Sequence, residues 1–382
     1  MPKFIELEMR AVNLANWEGL IRPLITQLSP QRVVSLYSKG RLDFLAKLKE
    51  EVPTDTYTPP ENLARTLWGI RFRSPIMNSA GMFKNGEGYK MVARQGAAAY
   101  LGGTGTWNQR TGNEKEGIYL PFVPYPNSHS ASNWLGLPND GDATNSHRAA
   151  QLERVLGTPI EWSIMGSPNL QGEEKLLYLV RGMQLYEYAG VDFLEINESC
   201  PNTTHGKPQD DDLANRLRYV KEHFLDRRTI SDTGRLREVP VIVKFSNDTE
   251  LAQVPALLDL LFELGYDGVN FGNTSTAYAK RREKIDPSER KLYDFFTQTF
   301  GGGVSGRPLK ESSLELAGRA VEHLMAGPPS QEFHVIRTGG IESLADIKES
   351  ERAGISLNQW YTGYFENFAR NGHSVYRNFF EG

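Results

Sequence analysis

Over the first fifty residues apolar positions recur every three or four. Trp17, Leu20, Ile21, Leu24 and Ile25 share one face of a helix starting near Asn16, interrupted by Pro23 and Pro30, with Leu28 continuing the stripe. Ser29 before Pro30 suits the start of a second helix carrying Val33, Val34, Leu36 and Tyr37 and running to about Glu51. A polar stretch with Pro53, Pro59 and Pro60 follows, and beyond it the pattern changes. From Ser74 onward short β-rich runs alternate with helical ones. The predicted strands are Pro75–Asn78, Ala97–Gly103, Ile160–Gly166, Asp192–Asn197, Pro240–Phe245, Gly268–Asn273, Phe333–Arg337 and Gln359–Thr362. Amphipathic helices lie between most of them, one with Leu251, Val254, Leu257, Leu258, Leu261 and Leu264 on a face, another with Leu314, Leu316, Ala317, Ala320, Val321 and Leu324.

Several of these strands are almost wholly apolar, as expected where both faces are buried. Eight strands with crossover helices in roughly 300 residues predict an α/β fold, a (β/α)8 TIM barrel. A doubly wound open sheet is the alternative, but no GxGxxG follows the first strand. The predicted organisation is a helical extension and linker over residues 1–66 and a barrel over 67–382.

Composition narrows the function. Lys plus Arg is 43 and Asp plus Glu 47, a net charge of −4, which offers no basic field for nucleic acid and no polybasic anchor for anionic lipid. The single cysteine permits no internal disulfide and no cysteine-based zinc site, and fits a reducing compartment. Seven histidines are scattered, none paired at a ligand spacing, so no metal is expected. With no signal-peptide pattern and no long apolar run, the expectation is a globular cytoplasmic protein.

In such a barrel chemistry gathers at the C-terminal ends of the strands. The first strand ends in Asn78-Ser79-Ala80-Gly81 with Lys84 just after, and the second in Gly103-Thr104. The fourth ends in Asn197-Glu198-Ser199-Cys200-Pro201-Asn202, the sixth in Asn273-Thr274-Ser275, the seventh in Thr338-Gly339-Gly340 and the eighth in Tyr361-Thr362-Gly363. Lys244 interrupts the apolar fifth strand Val-Ile-Val-Lys-Phe and must reach something polar. Glycines after the last two strands, with Gly301 to Gly306 as a third lip, suit a phosphate, because backbone N–H groups can approach it beside a helix N-terminus. Tight turns alone would explain any one of them. Cys200 taken singly is more often a small buried hydrophobe, but its place between Asn197 and Asn202 after a strand makes it a candidate reactive thiol. The charged run Lys280-Arg281-Arg282-Glu283-Lys284 reads as a solvated loop.

These motifs, in this order, resemble the dihydroorotate dehydrogenases, FMN-containing (β/α)8 barrels of pyrimidine synthesis. The likeness runs from about Leu67 to the C-terminus. It is carried by Asn78 to Glu87, Asn133-Trp134-Leu135-Gly136-Leu137-Pro138-Asn139, Asn197 to Thr203, Asn273-Thr274, Gly303 to Leu309, Gly339-Gly340 and Tyr361-Thr362. The resemblance implies that Ala80, Gly81, Thr104, Asn197, Lys244, Gly272, Gly306, Gly339, Gly340, Tyr361 and Thr362 hold FMN. It further implies that Lys84, Asn133, Leu135, Gly136, Leu137, Asn197, Asn202, Asn273 and Thr274 hold dihydroorotate or orotate. Cys200 would take the C5 proton while C6 gives hydride to flavin N5, and Lys244 would stabilise charge developing on the reduced ring. Asparagines offer both donor and acceptor to amide-like ring edges, and Lys84 suits a carboxylate.

Two features of the resemblance pull apart. Cysteine at position 200 is the usage of the soluble branches, whereas Leu20 to Arg32 is similar to the helical extension of the quinone-linked branch. The arginines usual to that branch are absent from Glu116 to Leu120, and Ile164-Met165 stands where the family has an asparagine. The extension favours a quinone acceptor and peripheral attachment to the inner membrane, because a soluble acceptor needs no added helices. Packing in a homodimer is the other use of such an apolar face. A flavin enzyme for a different cyclic amide, and a non-catalytic flavin-binding barrel, are the competing functions.

Overall fold

The computed structural model describes residues 10–198, 212–228 and 238–382. Eight parallel strands form the central sheet: β1 (Ile76–Asn78), β2 (Tyr100–Gly105), β3 (Ile160–Ile164), β4 (Phe193–Asn197), β5 (Val241–Phe245), β6 (Gly268–Phe271), β7 (His334–Thr338) and β8 (Leu357–Trp360). Neighbours in the chain are neighbours in the sheet, and β8 pairs with β1, so the sheet curls into the (β/α)8 barrel predicted. A helix follows every strand on the outside, as short right-handed crossovers require.

The seam lies between β1 and β2. No continuous ladder joins them, and the side chain of Asn78 supplies part of the pairing. Its amide donates to the Leu101 carbonyl at 2.7 Å, and its oxygen accepts the Leu101 N–H at 3.2 Å. Single backbone bonds from Ala98 to Ile76, from Gly81 to Gly103 and from Gly103 to Phe83 complete the closure.

Two strands differ from their predicted limits in an informative way. β2 starts at Tyr100 and runs on to Gly105, while β8 starts at Leu357 and stops before Tyr361. Polar Asn358 obscured the start of β8, yet it is fully buried. Thr362 belongs to the next helix, Thr362–Asn371, not to the strand.

The predicted N-terminal helices are present as α1 (Ala11–Ile25) and α2 (Pro30–Glu50). They have no core of their own. Val33 and Val34 of α2 join an apolar cluster with Tyr125, Tyr293, Phe296 and Val304. That cluster backs a three-stranded antiparallel sheet, Phe122–Tyr125, Ser130–Asn133 and Gly303–Gly306, which stands beyond the strand ends of the barrel. The division expected at 66/67 cuts the first strand of a hairpin, Arg65–Leu67 with Ile70–Phe72. That hairpin contributes Leu67, Trp68 and Phe72 to the barrel floor.

Candidate active site

Side chains two apart on a strand share a face, and inside the barrel this builds layers. Met77, Phe193, Ile242, Ile336 and Leu357 form an apolar floor with the hairpin beneath it. One step up each strand stand Glu195, Lys244, Thr338 and Gln359, with Glu161 and Asn270 from β3 and β6, and these form one hydrogen-bonded polar layer. A further step along β4 is Asn197, at the rim. Lys244 is thus not a strand-end lysine reaching for water: it is 3% exposed and bonded within the barrel.

Above the polar layer a cavity opens toward solvent. It brings together seventeen of the eighteen expected residues that are described: Ala80, Gly81, Lys84, Thr104, Asn133, Leu135, Leu137, Asn197, Lys244, Gly272, Asn273, Thr274, Gly306, Gly339, Gly340, Tyr361 and Thr362. The exception is Gly136, which stands between lining Leu135 and Leu137 but faces Asn113, so a Cβ there would collide with that side-chain amide. Cys200 and Asn202 lie outside the described residues.

The amides are pre-oriented. Asn273 donates to the side-chain oxygen of Asn197 at 3.0 Å, Asn197 donates to the Thr104 hydroxyl at 3.1 Å, and that hydroxyl pairs with Ser163 at 2.9 Å. The side-chain oxygen of Asn273 accepts the N–H of Thr274 at 2.9 Å. Each amide is therefore fixed in rotamer and flip before any ligand arrives, which lowers the entropy lost on binding.

At one end the cavity meets backbone. Gly339 and Gly340 follow β7, while Thr362 and Gly363 open the helix Thr362–Asn371, whose first N–H groups have no partner one turn back. Such an end accommodates an anion. Gly340 has φ +71 and its missing Cβ would lie 2.4 Å from Lys310 Cα, so only glycine fits. At Gly81, φ +94, a Cβ would find nothing nearer than Tyr361 at 3.9 Å and would project into open cavity. A planar group and a phosphate ester fit this combination of slot, glycine rim and helix end.

Several lining residues escaped the sequence reading: Phe122, Asn247, Ile341 and Trp360. Asn247 was findable, being a polar residue just past β5. It donates to the carbonyls of Asn273 and Thr338 at 2.8 and 3.2 Å, tying the sixth and seventh loops together. The charged run also needs correction: Lys280, Arg281 and Arg282 close a short helix, Tyr278–Arg282, rather than lying in a loop. Lys280, Arg282, Glu283 and Lys284 are exposed, but Arg281 is 2% exposed. Its guanidinium reaches Ser275 at 2.9 Å, Asp248 at 3.2 Å and the Asn247 and Pro308 carbonyls at 3.3 Å. Five donors in a rigid fork let one arginine replace water for an entire buried loop.

The overhanging sheet is clamped on its outer side by His129. Its Nδ1 lies 2.6 Å from Glu366 and 3.1 Å from Glu342, and Glu342 also accepts from Arg307 at 2.7 Å.

A family model described as dihydroorotate dehydrogenase matches residues 62–374. A relative from Kineococcus radiotolerans, named dihydroorotate dehydrogenase (quinone), is 30% identical over 314 residues, covering 80% of this chain and 78% of its own. One of the same name from Yersinia pseudotuberculosis is 28% identical over 360 residues, covering 90% and 94%. The solved structure of DHODH from Eimeria tenella in complex with ferulenol superposes with a TM-score of 0.72 at 22% identity, over 90% of this chain and 88% of that one, and supports the fold. With a model match over most of the barrel and its motifs gathered on one cavity, the chain belongs to the dihydroorotate dehydrogenase family.

Proposed function

We propose that this chain oxidises dihydroorotate to orotate with bound FMN and passes the electrons to a quinone. The observation that carries the reading is the convergence of Lys84 with Asn133, Asn197 and Asn273 on a cavity that ends in a glycine-and-helix anion site. When bound, FMN supplies the acceptor for the hydride leaving C6. The remaining work falls to the chain. Lys84 pairs with the substrate carboxylate, and the asparagines bind the ring's amide edges in the flip their mutual bonds already fix. Cys200, two residues beyond Glu198, takes the C5 proton as thiolate. Glu198 itself accepts from Arg216 at 2.8 Å. Lys244 brings positive charge to the cavity floor, where negative charge develops.

The quinone assignment draws support from the names of the relatives and from α1. Trp17, Leu20 and Leu24 of that helix are exposed at 57%, 78% and 67%, with Leu28 beyond its end at 38%. Among the described residues no helix is long and apolar enough to cross a membrane. An exposed apolar stripe on a helix that packs against α2 and against the helix Thr362–Asn371 at the cavity rim suits shallow membrane contact, which would bring a lipid-soluble acceptor to the site. The test is direct: identify the flavin released on denaturation, add dihydroorotate anaerobically, then reoxidise with a short-chain quinone, fumarate or NAD. Bleaching by dihydroorotate and rapid reoxidation by quinone alone is the expected result. Release of FAD, no bleaching, or reoxidation by fumarate or NAD in preference to quinone would overturn it.

A further inference from the structure

The polar layer beneath the cavity holds two carboxylates and one ammonium. Glu161 and Glu195 are fully buried, and Lys244 nearly so. Their surroundings differ. Glu195 is held at both oxygens: Lys244 Nζ lies 3.3 Å from Oε1, while Asn270 and Gln359 donate to Oε2 at 2.8 and 2.9 Å. Glu161 has one long contact, from Gln359 Nε2 to Oε2 at 3.5 Å, and its Oε1 has no hydrogen-bond partner among the described residues. An ionised carboxylate so placed bears a large desolvation cost that no close hydrogen bond offsets. Burial, and then the charge of Glu195, push the Glu161 carboxyl well above the usual range, against the pull of Lys244. Gln359 shows the same asymmetry, since its oxygen accepts from Lys244 at 3.0 Å and its amide turns toward the two carboxylates.

We infer that Glu195 is the ionised counter-ion of Lys244 and a positioning residue for the charge presented to the bound flavin, while Glu161 beside it is a neutral carboxylic acid. The layer is then electrically balanced, +1 against −1, with no unpaired buried charge. Lys244 lines the cavity and Glu195 stands behind it, so a ligand above senses the lysine charge attenuated by its partner. Two-electron reduction adds negative charge to a flavin. The attenuation therefore holds the reduction potential down, which favours passing electrons onward. This inference rests on the flavin reading proposed above.

The experiment is a reduction-potential titration of the flavin-loaded protein against a reference dye, with Glu195→Gln, Glu195→Asp and Glu161→Gln beside the unaltered chain. Glu195→Gln should favour reduction at least tenfold, about 30 mV upward for a two-electron couple. Glu195→Asp keeps the charge and should restore most of the original potential. Glu161→Gln copies a neutral acid in size and charge and should leave the potential where it was. An unmoved potential in Glu195→Gln, or an equal rise in Glu161→Gln, overturns the inference. Should Glu195→Gln not fold, the infrared difference spectrum of the unaltered holoprotein minus Glu161→Gln decides: it is expected to show the carbonyl stretch of a protonated carboxyl, with the bands of other protonated carboxyls cancelling. Absence of that band from the difference overturns the assignment. Protein that takes up no flavin overturns the proposed function and this inference together, whereas flavin-loaded protein with an unmoved potential overturns only the inference.

Discussion

The guanidinium of Arg41, on α2, donates to the phenolic hydroxyl of Tyr361 at 3.0 Å and lies 5.5 Å from the ring centre of Phe122. Tyr361 and Phe122 both line the cavity, so the N-terminal extension reaches the site through this side chain, and Ser38 of the same helix accepts the Phe122 N–H at 3.0 Å. Arg41→Ala should weaken flavin binding by the apoprotein about fivefold, the size of one part-exposed hydrogen bond to a charged donor. Fluorescence titration measures it. An unchanged dissociation constant would confine Arg41 to holding the helix.

The outer face of α1 can be altered without touching the core, because Leu20 and Leu24 bury little. Replacing both with Gln should cost stability no more than about 0.5 kcal/mol. Reduction of the flavin by dihydroorotate should be unaffected, while partition onto lipid vesicles and turnover with a long-chain quinone fall roughly tenfold. Sedimentation with vesicles separates the two effects, and equal partition of both proteins would remove the membrane role.

Cys200→Ala should retain flavin but slow its reduction by dihydroorotate at least ~10²-fold, the usual scale of a general base. Cys200→Ser should keep partial activity that rises with pH, since a hydroxyl is the weaker base. Stopped-flow bleaching of the flavin is the readout, and an alanine variant as fast as the original would return Cys200 to packing.

Asp142 gives a pH prediction away from the cavity. It is fully buried, accepts from the Tyr186 hydroxyl at 3.0 Å, and burial pushes its carboxyl up from 3.8 to about 7, against the lowering by that bond. The folded chain therefore holds a proton that the unfolded chain releases, and this stabilisation, complete below pH 3.8, is lost as pH rises through 7. Across that window the loss approaches about 1.4 kcal/mol per pH unit. Urea midpoints at pH 5 and pH 8 should converge in Asp142→Asn relative to the unaltered chain, with the variant the more stable at pH 8. Parallel curves would show that Asp142 stays ionised.

The barrel was readable because its outer helices repeat every three or four residues and its strands are short apolar runs between them. The rim was readable because polar residues interrupt those runs at their C-terminal ends, as at Asn197 and Asn273. What sequence concealed was polarity facing inward. Glu161, Glu195 and Gln359 lie inside predicted strands, but nothing local says that they turn inward to meet partners on other strands. Arg281 was hidden by its own neighbours: four of the five residues in its run are solvated, and burial of the fifth depends on Ser275, Asp248 and two distant carbonyls. Gly136 failed in the other direction, sharing a motif with lining residues while its own face turns away.

The closure between β1 and β2 bears on how the molecule moves. A barrel joined by ladders at seven interfaces and by scattered bonds at the eighth has a preferred place to breathe. Amide hydrogens flanking Asn78 and Leu101 should exchange sooner than those between β4 and β5, where four residue pairs lie in register. Ala80 and Gly81 leave one side of that interface and Thr104 stands near the end of the other, so a ligand resting on all three would act as a splint across the gap. Loading the cavity should then slow exchange most at the two strands least bound to each other, and the rigidity of the ring would belong to the complex more than to the chain.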